Sequence, residues 1–165
     1  MVFVDEVAFT KRTVLMRDYS NKYVNLSIDE KVLNSEYYTA VASISTEGKV
    51  EHLLINQGAI NGAAYGRFLR QLRAKNGDGT FAIFQDNLSI HRTLANKQLY
   101  QDLGLNVIWN VPYRPQYQPI ESIFSIVKGH YKKRRLHMLA NGIEVNERTL
   151  IRESFRKVES SSILN

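Results

Sequence analysis

Three acidic side chains stand where the sequence would need a reason to put them. Asp5 follows the apolar run Val2-Phe3-Val4. Asp86 follows Phe81-Ala82-Ile83-Phe84 after a single Gln, and Glu121 comes two residues after Pro119. A carboxylate at the end of a buried strand is presented on a rigid post. Three of them in one place repel each other and call for a counter-ion. Hard oxygen donors with no cysteine and few histidines suit Mg²⁺ or Mn²⁺. Two such ions about 3.5–4 Å apart can activate a nucleophile and stabilise the leaving oxygen of a phosphoryl transfer. Taken singly, each signal has a plain explanation: an Asp after a strand is a common turn residue or helix cap, a Glu in a first helical turn suits the helix dipole, and with Glu6 beside Asp5 one of the two acids can simply be solvated. Only their convergence would make a site.

The elements between them decide whether they converge. Residues 2–4 read as a strand ending at Asp5-Glu6, and residues 13–16 as a second short strand. Residues 27–36 are polar and irregular. Residues 37–45, "YYTAVASIS", are rich in β formers, 46–49 form a hairpin turn, and 50–55 return as its partner. Asn61 caps a helix over 62–74 with Tyr65, Phe68, Leu69 and Leu72 on one face. Residues 80–85 form a buried strand. A helix over 91–103 ends at Gly104, 105–111 form another buried strand with Trp109 in the core, and a Pro-punctuated loop leads to a long helix over about 119–136. A last helix covers about 146–159, and the tail from 160 frays. Hairpin strands followed by alternating strands and helices predict an α/β fold, a mixed five-stranded sheet with helices on both faces. If the first strand and the strand of Asp86 are neighbours, Asp5 and Asp86 lie side by side, because adjacent strands are about 4.8 Å apart.

Bulk properties agree with one globular domain. The chain has 165 residues, 44% hydrophobic and 23% charged, with no cysteine, which removes disulfides and thiolate metal sites. No apolar run approaches the ~18 residues that span a bilayer, and no secretory signal pattern opens the chain, so neither a membrane partner nor secretion is expected. A net charge of +6 favours polyanions, nucleic acid first. Its densest part is "KGHYKKRRL", with Lys128, Lys132, Lys133, Arg134 and Arg135 on the helix that follows Glu121. These residues are candidates for DNA phosphate contacts, which give salt-dependent affinity without sequence reading. The same KKRR can serve as a nuclear import signal, placing the protein in the nucleus of a eukaryote and otherwise in the cytoplasm.

Three stretches taken together carry a family likeness. "DEVAF" at 5–9, "DNLSIH" at 86–91 and "VPYRPQYQPIESIFSIVK" at 111–128 resemble the DDE transposases of the mariner superfamily. Asp86, Asn87 and His91 match its Asp-Asn-x-x-x-His motif, and Pro112 to Glu121 match its Pro-Tyr-Ser-Pro-x-x-Asn-Pro-Ile-Glu motif. Thirty-four residues lie between Asp86 and Glu121, an interval at home in one large branch of that family. "INGAAYGRFL" at 60–69 looks like the family's helix after the hairpin. Arg114 stands for the usual Ser, Gln118 for Asn, and Phe124 where Trp is common; none of these is a metal ligand.

The resemblance implies a ribonuclease-H-like catalytic domain over 1–165, without the family's N-terminal helix-turn-helix module. It implies that Asp5, Asp86 and Glu121 are catalytic and hold two Mg²⁺ ions, with Mn²⁺ as substitute. Asn87 and His91 then support the metal site or touch phosphate, and Arg114 touches DNA from the Pro-rich loop. The partners implied are double-stranded DNA, both transposon ends and target, and a second copy of the chain in a homodimer. Two other readings share the residues: a different ribonuclease-H-like nuclease, and a domesticated DNA-binding remnant without chemistry.

Overall fold

In a computed structural model of the chain, residues 1–10, 37–77, 79–110 and 119–162 are described. The expected strand at 13–16 and loop at 27–36 lie outside them, as do residues 111–118 and with them Arg114. The strands are β1 (Val2–Phe9), β2 (Tyr38–Ser45), β3 (Val50–Gln57), β4 (Ala82–Gln85) and β5 (Asn106–Trp109). The helices are α1 (Gly62–Asn76), α2 (Leu94–Asp102), α3 (Ile120–Ala140) and α4 (Glu147–Ser162), with a short 3-10 turn at Ser89–Arg92. The strands form one mixed sheet in the order β3-β2-β1-β4-β5. β1 runs antiparallel to β2 and parallel to β4, so the strand of Asp5 and the strand before Asp86 are neighbours, the condition for Asp5 and Asp86 to lie side by side.

Strand alternation divides the core in two. On one face Val2, Val4, Val41 and Ile83 pack beneath Tyr65, Phe68, Leu69 and Leu72 of α1 and Leu99 of α2. On the other, Val7, Phe9, Ala40, Ala42 and Ile44 pack against Ile120, Phe124, Val127 and Tyr131 of α3 and Leu150, Ile151 and Phe155 of α4. Each such side chain taken from water contributes about 1.5–3 kcal/mol. Consecutive residues of one strand therefore report to different helix pairs.

Local signals explain most boundaries. The Ser45 hydroxyl accepts from the amides of Glu47 and Lys49 and closes the β2–β3 turn, where Gly48 takes φ 77°. The Asn61 side chain accepts from the Ala64 amide at 2.8 Å and starts α1, a cap worth about 1 kcal/mol. Gly62 and Gly66 let α1 press on the next segment; a Cβ at Gly66 would lie 3.2 Å from Asn96 Oδ1 and 3.4 Å from a Leu99 methyl.

Four expectations need correction. β1 does not end at Asp5-Glu6 but continues to Phe9, because Val7 and Phe9 resume the buried alternation. The helix expected from His91 is split: Ser89–Arg92 is a 3-10 turn, and α2 starts afresh where the Thr93 side chain accepts from the Asn96 amide. Trp109 is not core. Among the described strands β5 lies at the edge of the sheet, and Trp109 and Ile108 are 36% and 45% exposed. The last helix runs to Ser162 rather than stopping at 159. No helix among the described residues is long and apolar enough to cross a membrane.

Candidate active site

Asp5 sits in the middle of β1 on the face toward α3, the same parity as Phe3 and Val7. Asp86 is the first residue after β4. The last paired positions are Val4 and Gln85, so Asp5 and Asp86 come next in register on adjacent parallel strands. Glu121 occupies the first turn of α3, exposed, above Ile120, which is fully buried against the same face. The sheet and α3 thus bring the three carboxylates into one neighbourhood. The charge they share is felt at Asp5, whose carboxyl is pushed up to about 7. Burial is the main cause. A hydrogen bond from the Glu6 amide, 2.7 Å to Oδ1, opposes it, and the negative charges of Asp86, Glu121 and Glu6 add to it. Among the described residues, no three carboxylate or imidazole groups close tightly enough to grip one ion. The side chains share a field rather than a ready-made cage.

His91 is wholly buried between two acids. Its Nδ1 lies 2.9 Å from Asp86 Oδ1 and its Nε2 3.0 Å from Glu6 Oε1. Two acceptors facing both ring nitrogens require a donor at each, which is the imidazolium. Burial works against that charge, but the hydrogen bonds and charges of Asp86 and Glu6 outweigh it and raise the group to about 9. The Tyr65 ring, 4.3 Å from the imidazole, adds a cation–π face. Among the described residues, the hydrogen bonds that Asp86 makes fall on Oδ1, from His91 at 2.9 Å and from the Leu88 amide at 3.4 Å, with Oδ2 turned to neither. Asn87, next along, is exposed.

Behind His91 lies a buried polar network. Gln85, fully buried at the end of β4, accepts from the Tyr65 hydroxyl and donates to the Tyr100 hydroxyl at 2.8 Å. Tyr100 donates in turn to the His91 carbonyl at 3.2 Å. Sequence reasoning missed Glu6, Gln85, Tyr65 and Tyr100 as parts of this support. One signal was present: a Gln at an inward position of an apolar strand must find partners, because an unpaired buried amide costs about 1–3 kcal/mol.

The basic run divides by helix geometry. Arg135 is buried, not a DNA contact: its Nε donates to Glu147 Oε1 of α4 at 2.8 Å, and Tyr131 donates to the other oxygen at 2.6 Å. At 100° per residue, Lys128 and Lys132 follow Glu121 on one stripe of α3, while Lys133 and Arg134 turn away from it. Lys128 and Lys132 are half-buried; Lys133 and Arg134 are exposed.

A family model described as DDE superfamily endonuclease matches residues 1–141. The chain belongs to the DDE superfamily of endonucleases. No curated protein matches it. Among solved structures, a chain in the simian T-cell lymphotropic virus intasome in complex with PP2A regulatory subunit B56 gamma superposes with TM-score 0.65 at 13% identity, covering 93% of this chain and 46% of that one. The Mos1 mariner paired-end complex with Mn gives 0.62 at 13% identity, covering 98% and 53%. The catalytic domain of Mos1 mariner transposase gives 0.56 at 14% identity, covering 98% and 81%. This DDE endonuclease domain therefore has the ribonuclease-H-like fold of transposase and integrase catalytic domains. It spans about half the length of the first of these relatives.

Proposed function

We propose that this DDE domain cuts DNA strands at the ends of a mobile element and joins the freed 3′-hydroxyls to target DNA. The observation that carries the reading is that Asp5 and Asp86 lie side by side on adjacent strands near Glu121 of α3, with Asp5 destabilised as an anion by burial first and by the charges of Asp86, Glu121 and Glu6 in addition. All three are hard oxygen donors, and the His91 cation faces only Asp86 among them, so the set fits a divalent cation. When bound, Mg²⁺ ions supply an activated oxygen nucleophile and stabilise the leaving oxygen.

Each side chain then has a task. Asp5, Asp86 and Glu121 hold the metals. Glu6 and His91 fix Asp86 through Oδ1, so that its other oxygen keeps one direction. Asn87 stands beside Asp86 at the rim, within reach of a scissile strand. Lys128 and Lys132 neutralise phosphates of the duplex that lies along α3. Arg114 belongs to the same proposal from the loop before Glu121. A homodimer, with each copy holding one end, is part of this reading and is supported by the likeness to Mos1 transposase in its paired-end complexes.

The test is Mg²⁺-dependent nicking of duplex DNA. Asp86→Ala should abolish it with an unchanged far-UV spectrum; retained cleavage would remove Asp86 from the site. Preference for RNA–DNA hybrid over duplex DNA would move the function to another nuclease of this fold.

A further inference from the structure

A second site opens on the other face of the sheet, at the same strand ends. It is a pocket of about 470 Å³ between α2, the 3-10 turn and β5. Leu105 and Val107 form its apolar wall, Arg92 and Lys97 bring two cations, and among the described residues no acidic side chain lines it. Trp109, 36% exposed, stands at its edge and is braced edge-on by Tyr100, with ring centroids 6.2 Å apart at 79°. Asn87 reaches it from beside Asp86, which joins it to the candidate active site.

We infer that this pocket takes an unpaired nucleotide of the DNA strand running past Asp86. The inference rests on the DNA reading above and adds to it a place for a base outside the duplex. The volume lies in the range of sites for small organic ligands and excludes a duplex. An exposed indole at a pocket edge offers a flat face to a base, and such stacking needs a base free of its neighbours. Arg92 and Lys97, on successive turns of chain, match the phosphates on either side of it. The amides of Asn87 and Gln101 supply donors and acceptors for a base edge. Aromatic face, cations and amides around one small pocket describe single-strand recognition, not duplex readout.

The chain contains a single tryptophan, so its emission reports this pocket alone. The probe is a short 5′-fluorescein oligodeoxythymidylate, followed by label anisotropy and, with the unlabelled strand, by indole emission; a duplex of equal length is the comparison. The wild-type emission should be quenched along the same binding curve that anisotropy gives. Trp109→Ala should weaken single-strand binding about tenfold or more, Trp109→Phe should keep most of it, and the duplex should be affected little. Arg92→Ala and Lys97→Ala should each flatten the salt dependence of single-strand binding. Binding by anisotropy with unchanged emission, and undiminished in Trp109→Ala, would overturn the pocket and leave the DNA reading intact. No binding of either strand form by the folded domain would overturn both.

Discussion

Replacing Asp5 by Asn should make the metal-free domain more stable, and only at higher pH. Burial and the charges of Asp86, Glu121 and Glu6 lift the Asp5 carboxyl from 3.8 to about 7. Each tenfold change in proton affinity is worth about 1.4 kcal/mol, so the full change amounts to about 4 kcal/mol. The folded domain holds this proton more tightly than the unfolded chain does. Stability from Asp5 is therefore complete below the unfolded value, falls as pH rises through about 7, and stays lost above it. Asn carries no charge and its Oδ1 can still accept the 2.7 Å hydrogen bond from the Glu6 amide. The two proteins should melt together at about pH 4 and separate by up to about 4 kcal/mol at about pH 8. For a domain of this size that is roughly 8–16 °C in Tm. Scanning calorimetry in a chelating buffer reads the difference, and groups common to both proteins cancel. Added Mn²⁺ should raise the wild-type Tm and leave the variant's nearly unchanged, because the cation relieves the repulsion that the substitution has already removed. A gap between the two curves that does not change with pH would refute the electrostatic account of the site.

The other predictions concern its surroundings. Glu6→Gln removes one of the two carboxylates on His91, so the imidazole should fall from about 9 toward its ordinary 6.5. Because a raised His stabilises fully below 6.5 and loses that contribution as pH rises through about 9, the variant should lose most stability just below about pH 6.5 and converge with the wild type above about pH 9; an NMR titration showing His91 unmoved would end the idea. Glu147→Gln strands the buried Arg135 guanidinium and should cost about 3 kcal/mol in denaturant unfolding, with duplex affinity unaffected; tighter, more salt-sensitive DNA binding by the folded variant would return the released Arg135 to the interface. Lys128→Ala and Lys132→Ala should each lower the salt slope of duplex binding by about 0.9, and equal slopes in wild type and variants would take the duplex off the Glu121 stripe of α3.

The sequence by itself determined what each segment could become. The turn at 46–49, the Asn61 cap and the 3.6-residue spacing of Tyr65, Phe68, Leu69 and Leu72 act over a few residues, and the structure has them where expected. The order of strands and helices and the three spaced motifs were legible for the same reason, and they sufficed for the fold class and the family. Partners across the chain were not. Strand alternation says that Asp5 and Glu6 point opposite ways, but not that one faces α3 while the other meets a histidine 85 residues away. A charge run looks uniform in one dimension. Winding it at 100° per residue, and packing α4 against one side, turned Arg135 into an interior ion pair. Trp109 looked like core because its strand is apolar, yet a strand's burial depends on what lies beside it, and among the described strands β5 has a neighbour on one side only. Local chemistry chose the elements; burial, pairing and the field of neighbouring charges, which depend on distance in space and not along the chain, decided what their side chains do.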